Sequence, residues 1–125
     1  DLIVLSACRT AVGDQETELG FSGLALQSGS KSAIGTLWYV DDVMTSAYFV
    51  QMYNFLDQGI PKAEAMQMTR KAFIQEKIRL ENDSLIGIDD KILLSDLNNS
   101  QKRIVRNGLS NPFFWAGIEL MGSPW

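Results

Sequence analysis

Histidine is missing altogether from these 125 residues. The chain therefore offers no His-based metal site and no imidazole general base. Cysteine is almost as scarce, since Cys8 is the single thiol, which excludes an internal disulfide and any multi-cysteine zinc centre. Together the two shortages remove most self-contained hydrolase mechanisms. No run approaches the roughly 18 apolar residues of a membrane helix. The apolar start at residues 2–5 lacks the basic flank and the length of a signal peptide. Positive charge is also short, with 11 Lys plus Arg against 15 Asp plus Glu, so a basic face for nucleic acid is not expected. No metal, no cofactor, no nucleic acid and no membrane are expected, and the lone thiol without a secretion signal points to a reducing, cytoplasmic setting.

What is present suits a packed core: 46% of the residues are apolar and 21% charged. Residues 2–5, Leu-Ile-Val-Leu, run without alternation into the small residues Ser6, Ala7 and Cys8. That pattern fits a strand buried on both faces, as in a parallel sheet. Residues 9–18, with Gly13 and Asp14, read as a loop. A helix follows over about 20–28 with Phe21, Leu24 and Ala25 inward, closed by Gly29 in the left-handed conformation. Residues 32–38 read as a second buried strand. Asp41 or Asp42 caps the next helix, which is apolar almost all round and runs to about Asp57, where Gly59 stops it. Pro61 opens a further helix to about Leu80, with Ala65, Met68, Ala72 and Phe73 on its packed face. Met44, Met52, Met66 and Met68 read as core filler. Residues 81–110, rich in Asn, Asp and Gly, read as a surface excursion with one or two short helices. Residues 113–121 form a closing strand, its Phe113, Phe114 and Trp115 in the core.

The order strand, helix, strand, helix, helix, strand belongs to the α/β class. Two or three strands are few for a sheet covered by helices on both faces. The chain also opens at Asp1, without an initiator Met, directly on a strand. It is expected to be the second half of a larger, mostly parallel sheet. Cys8 then stands at the carboxyl end of a strand, where open α/β sheets bind ligands. A lone cysteine also packs well as a small hydrophobe, and position alone does not separate the two roles.

The residues around it do more. Leu2-Ile3-Val4-Leu5-Ser6-Ala7-Cys8-Arg9-Thr10 resembles the nucleophile strand of caspase-like, separase-related cysteine peptidases of the CHAT family. Three further blocks continue the resemblance in order: Phe21-Ser22-Gly23-Leu24-Ala25, then residues 32–42 from Ser32 to Asp42, then Asn111-Pro112-Phe113-Phe114-Trp115-Ala116-Gly117. The family pattern has His where this chain has Asn111. The resemblance implies the C-terminal, nucleophile-bearing part of one CHAT domain, a three-layer caspase-like sandwich. Cys8 would be the nucleophile and its own N–H an oxyanion donor. The catalytic His would lie on an upstream strand, so these residues alone would be inactive.

For the substrate, the resemblance implies an extended peptide added along the end of the second strand, on a platform of Trp38, Tyr39 and Val40. Asp42, or its neighbour Asp41, would pair with a basic residue before the cut, and Asp14 is a further candidate. Cleavage after Arg or Lys follows. Partners would be a protein or peptide substrate, the upstream half of the domain, and helical-repeat regions of the same protein. The competing reading is a non-catalytic scaffold or interaction module built on the same domain.

Overall fold

Strand β1 (Leu2–Val4), helix α1 (Gly20–Gln27) and strand β2 (Ser32–Thr36) follow one another as the sequence predicts. They belong to a computed structural model that describes residues 2–5, 20–38 and 41–125, with the backbone alone at Phe21. The loop expected over residues 9–18 lies outside the described residues. Two units make up the chain, one from Asp1–Val40 with Ala116–Trp125, the other Asp41–Trp115.

In the first unit β2 is the central strand. It pairs in parallel with β1, from Leu2 opposite Ser32 to Val4 opposite Ile34, and the Leu5 N–H extends the ladder to the Ile34 carbonyl at 2.8 Å. On its other side lies β6 (Ile118–Gly122), antiparallel, with Thr36 opposite Ile118 and Ser32 opposite Gly122. Every residue of β2 is buried, its two hydroxyl residues Ser32 and Thr36 included, as suits a strand with a partner on each side. β1 departs from expectation: Ile3 is 37% exposed and its neighbours are half-buried. Among the described strands β1 has a partner on one side only, which makes it an edge. Among the described strands the sheet is mixed, with one parallel and one antiparallel pairing. In α1 Gly20, Ser22 and Gly23 are buried and Ala25 is half-buried, while Leu24, predicted to face inward, is exposed; the Phe21 side chain is not among those described.

The second unit opens on helix α2 (Asp42–Asp57), whose apolar residues do enter the core. Tyr48 stacks on Phe73 of helix α3 (Lys62–Ile74) at 6.0 Å between ring centres, and its hydroxyl donates to the Met66 carbonyl at 3.3 Å. Met44, Met52 and Met66 are buried, while Met68 is half-buried.

α3 ends six residues before the predicted Leu80, and there is a physical reason. α1, α2 and α3 all close with the same pair of hydrogen bonds. Gly29 N–H reaches Leu26 and Ser30 N–H reaches Ala25; Gly59 reaches Leu56 and Ile60 reaches Phe55; Glu76 reaches Phe73 and Lys77 reaches Ala72. Each is a Schellman closure around a left-handed residue. At Gly29 and Gly59 that residue is glycine, with φ of 103° and 82°, but in α3 it is Glu76 at φ 55°. The stop is real but is not spelled by its usual residue.

Residues 79–94 form a second sheet instead of a surface excursion. Strands β3 (Arg79–Glu81), β4 (Ser84–Ile86) and β5 (Ile92–Leu94) run antiparallel in that order. Asn82 turns the first hairpin at φ 52°, a conformation Asn tolerates. Arg79 bonds Asp90 at 2.7 Å and Glu81 at 2.9 Å, which holds its guanidinium above its ordinary pKa. Buried Gln51 of α2 anchors the second hairpin, its Oε1 accepting the Ile88 N–H at 2.9 Å. A Cβ at Gly87 would collide with that oxygen. Helix α4 (Asn99–Gly108) starts with a full capping box between Asn98 and Gln101, and its Lys102 pairs with Asp83.

The closing strand also starts later than predicted. Asn111 accepts the Phe113 N–H at 3.1 Å and Pro112 opens a short 3-10 turn over Pro112–Phe114. Trp115 is buried, but Phe113 is 55% exposed and Phe114 half-buried, so only the third aromatic belongs fully to the core. The architecture is α/β, with two small sheets rather than one.

Candidate functional site

β1 and β2 run in parallel, so their carboxyl ends lie at the same end of the first sheet. The residues predicted to act follow those two ends. Cys8, Asp14, Tyr39 and Val40 lie outside the described residues. Trp38, Asp41 and Asp42 lie within them.

Trp38 stands two residues past β2 and is half-buried. The backbone beneath it is pinned, because the Leu37 N–H bonds to the Gly117 carbonyl at 2.8 Å. A Cβ added at Gly117 would stand 2.7–2.9 Å from the ring atoms of Trp38. Only a residue without a side chain admits the indole there. Glycine just before a strand is a signal for close approach that the sequence carries, although it does not say what approaches.

The two adjacent aspartates divide between two situations. Asp41 has extended backbone, and its Oδ1 accepts the N–H groups of Val43 at 2.9 Å and Met44 at 3.2 Å. It is the N-cap of α2. Replacing it with alanine orphans both donors and is expected to cost about 1 kcal/mol, read as a lower urea midpoint with an unchanged slope. Asp42 is the first helical residue, exposed and not part of the cap.

Asp42 borders an open pocket of about 260 Å³ within the second unit. Val43, Leu94 and Leu97 supply apolar wall, and Ser46 and Asp96 add polar groups. Asp96 sits at φ 56°, in the β5–α4 connection, within the stretch 81–110 whose composition predicts a surface excursion. Its contribution was not legible because that connection was not resolved into elements. Two carboxylates beside apolar wall suit a cation on an aliphatic stem. Among the described residues Tyr53 of α2 also has a displaced pKa, raised by burial, and it is not among the predicted site residues.

The family model for the CHAT domain matches residues 1–123, and the chain belongs to that family, which is related to caspase-like peptidases. No curated protein and no solved structure matches the chain. Among the described residues no helix is long and apolar enough to cross a membrane.

Proposed function

We propose that this chain is the nucleophile-bearing part of a caspase-like cysteine endopeptidase that cleaves protein substrates after Arg or Lys. The observation that carries the reading is where the one cysteine falls. It comes three residues after Leu5, whose N–H continues the β1–β2 ladder near the start of the CHAT-domain match. In this reading β1 and β2 belong to a three-layer caspase-like sandwich completed by an upstream half of the same domain. The open side of β1 is where a further strand would pair.

The Cys8 thiolate attacks the scissile carbonyl, with its own N–H as one oxyanion donor. The carbon–sulfur bond forms as the carbon–nitrogen bond breaks, and the leaving amine takes a proton from a general acid. Water then attacks the thioester, releasing the new carboxyl group and restoring the thiol. The acid and base is a histidine from outside these residues, because they contain none. The 125 residues alone are therefore inactive.

Trp38, Tyr39 and Val40 form the platform for an extended substrate. Asp42, which shares its pocket with Asp96, receives the basic residue before the cut, and Asp14 is a further candidate for that role. The separate duties of Asp41 and Asp42 support this choice, since the first is spent on the cap and the second is not. Partners are the protein substrate, the upstream half of the domain, and helical-repeat regions of the same protein.

The test is labelling of the full-length protein by an acyloxymethyl ketone carrying arginine, with cleavage of an Arg/Lys peptide library alongside. The absence of both labelling and cleavage would sink the peptidase reading. Asp42→Asn is expected to lower kcat/KM for arginine peptides by about 10- to 100-fold through loss of a charge-assisted bond, with thermal stability little changed. An equal loss for apolar peptides would refute the specificity role. The absence of histidine favours one second reading, a non-catalytic interaction module, which predicts a folded protein that the ketone never labels.

A further inference from the structure

We infer that Gly117 is a positioning residue for peptide binding, acting through the Trp38 indole. The inference rests on the reading of Trp38 as part of the substrate platform. Three observations carry it.

The first is steric. An added Cβ at Gly117 falls 2.7 Å from Cε2, 2.8 Å from Cδ2 and 2.9 Å from Cζ2 of Trp38. Those atoms belong to the six-membered part of the indole and its fusion bond, so the ring lies over the glycine Cα. Carbon atoms in contact prefer separations of about 3.5–4.0 Å, so either the backbone or the ring must move.

The second observation decides which. The Gly117 carbonyl accepts the Leu37 N–H at 2.8 Å, and the next residue, Ile118, is fully buried opposite Thr36. The backbone is held by a ladder bond on one side and a packed side chain on the other. The indole, joined to its backbone by two rotatable bonds and half-buried, is the part that gives.

The third excludes the usual reason for glycine. Gly20, Gly29, Gly59 and Gly122 adopt positive φ, and Gly117 does not. Left-handed backbone is therefore not what calls for glycine at 117, and the contact that does is steric. The three atoms nearest the added carbon all belong to one side chain on the proposed platform. Gly117 thus sets where the ring lies, and the ring sets the surface offered to an extended peptide just past β2.

The experiment uses the full-length protein carrying Cys8→Ala, which leaves a probe peptide intact, labelled with 5-fluorotryptophan. The probe is a capped hexapeptide with one central arginine, and the Trp38 fluorine resonance is assigned by its loss in Trp38→Phe. Gly117→Ala is expected to move that resonance, leave those of Trp115 and Trp125 in place, and weaken peptide binding about tenfold. In a Trp38→Ala background the same substitution should change affinity less than about twofold, because the group through which it acts is gone. If Gly117→Ala does not fold, removing the indole in the double variant should restore folding.

Unchanged affinity in Gly117→Ala would overturn the proposal. So would an equal loss with and without Trp38, a double variant that still fails to fold, or a probe that does not bind the Cys8→Ala protein at all. Failure of the peptidase reading shows elsewhere, as missing Cys8-dependent ketone labelling in the otherwise unsubstituted protein.

Discussion

Cys8→Ala in the full-length protein is expected to lower kcat/KM for arginine peptides by at least about a thousandfold and to abolish ketone labelling. The expectation follows from what the thiol supplies. It is the only thiol among these residues, and a bound peptide cannot form the acyl intermediate without it. Binding and oxyanion donors still operate in the variant, so a small residual rate over water is consistent with the role. Cys8→Ser separates chemistry from packing. It keeps nearly the same volume but replaces the thiol with a far less acidic hydroxyl, so it should be similarly inactive. A cysteine that serves as a small core residue predicts the opposite pattern: lost stability in Cys8→Ala and full activity in Cys8→Ser. Side-by-side steady-state assays and urea unfolding of the two variants distinguish these cases.

Gly122→Ala is expected to destabilise the chain by about 3 kcal/mol. Two costs coincide there. The residue has φ of 93°, where an L side chain is strained. Its Cβ would also run into the carbonyl oxygen of Lys31, a backbone atom that cannot swing aside. That same carbonyl accepts the Ser123 N–H at 2.9 Å, and Gly122 pairs with Ser32, so relief would break the end of the β2–β6 ladder. Gly29→Ala serves as the control. Its φ is 103°, but nothing lies within 4 Å of the added carbon, so only the conformational cost of about 1 kcal/mol applies. Equal urea midpoints for the two variants would refute the collision argument.

The parts of the fold that were legible in the sequence are those whose signals are local and conventional. β2 is marked by Ala33, Ile34, Leu37 and Trp38 around Gly35, α2 by an aspartate before its dense apolar composition, and the ends of α1 and α2 by Gly29 and Gly59. The misreadings have equally definite causes. Glu76 occupies a position that glycine usually fills, so the sequence pattern predicts α3 on into strand β3, to about Leu80. The strands β3, β4 and β5 have three residues each, too few to establish an alternation. α4 did have a readable start in Asn98 and Gln101, three apart, as a capping box requires. The aromatic run 113–115 misled because Pro112 and Asn111 turn the chain before the strand begins.

The candidate site divides in the same way. The choice between Asp41 and Asp42 as cap was open in the sequence, because both carboxylates precede the same apolar run. Backbone geometry settles it in favour of Asp41. Asp96 could not be associated with Asp42, since 54 residues and two hairpins separate them and no periodicity links such positions. Gly117 was visible only as part of a family-like block, and its demand for space emerges from the ring that lies over it.

The antiparallel pairing of β2 with β6 has a consequence for how this chain can vary. Residues Asp41–Trp115 leave the first sheet just past β2 and return just before β6, and Leu37 and Gly117 are joined by a hydrogen bond at that doorway. In terms of connectivity the second unit is one very large hairpin loop. The cost of closing a flexible loop grows only with the logarithm of its length, about 0.6 kcal/mol per doubling. Insertions or deletions within the second unit therefore leave the strand register of the first almost untouched. An evolving lineage can rebuild the pocket-bearing part while the strand that follows β2 keeps its place.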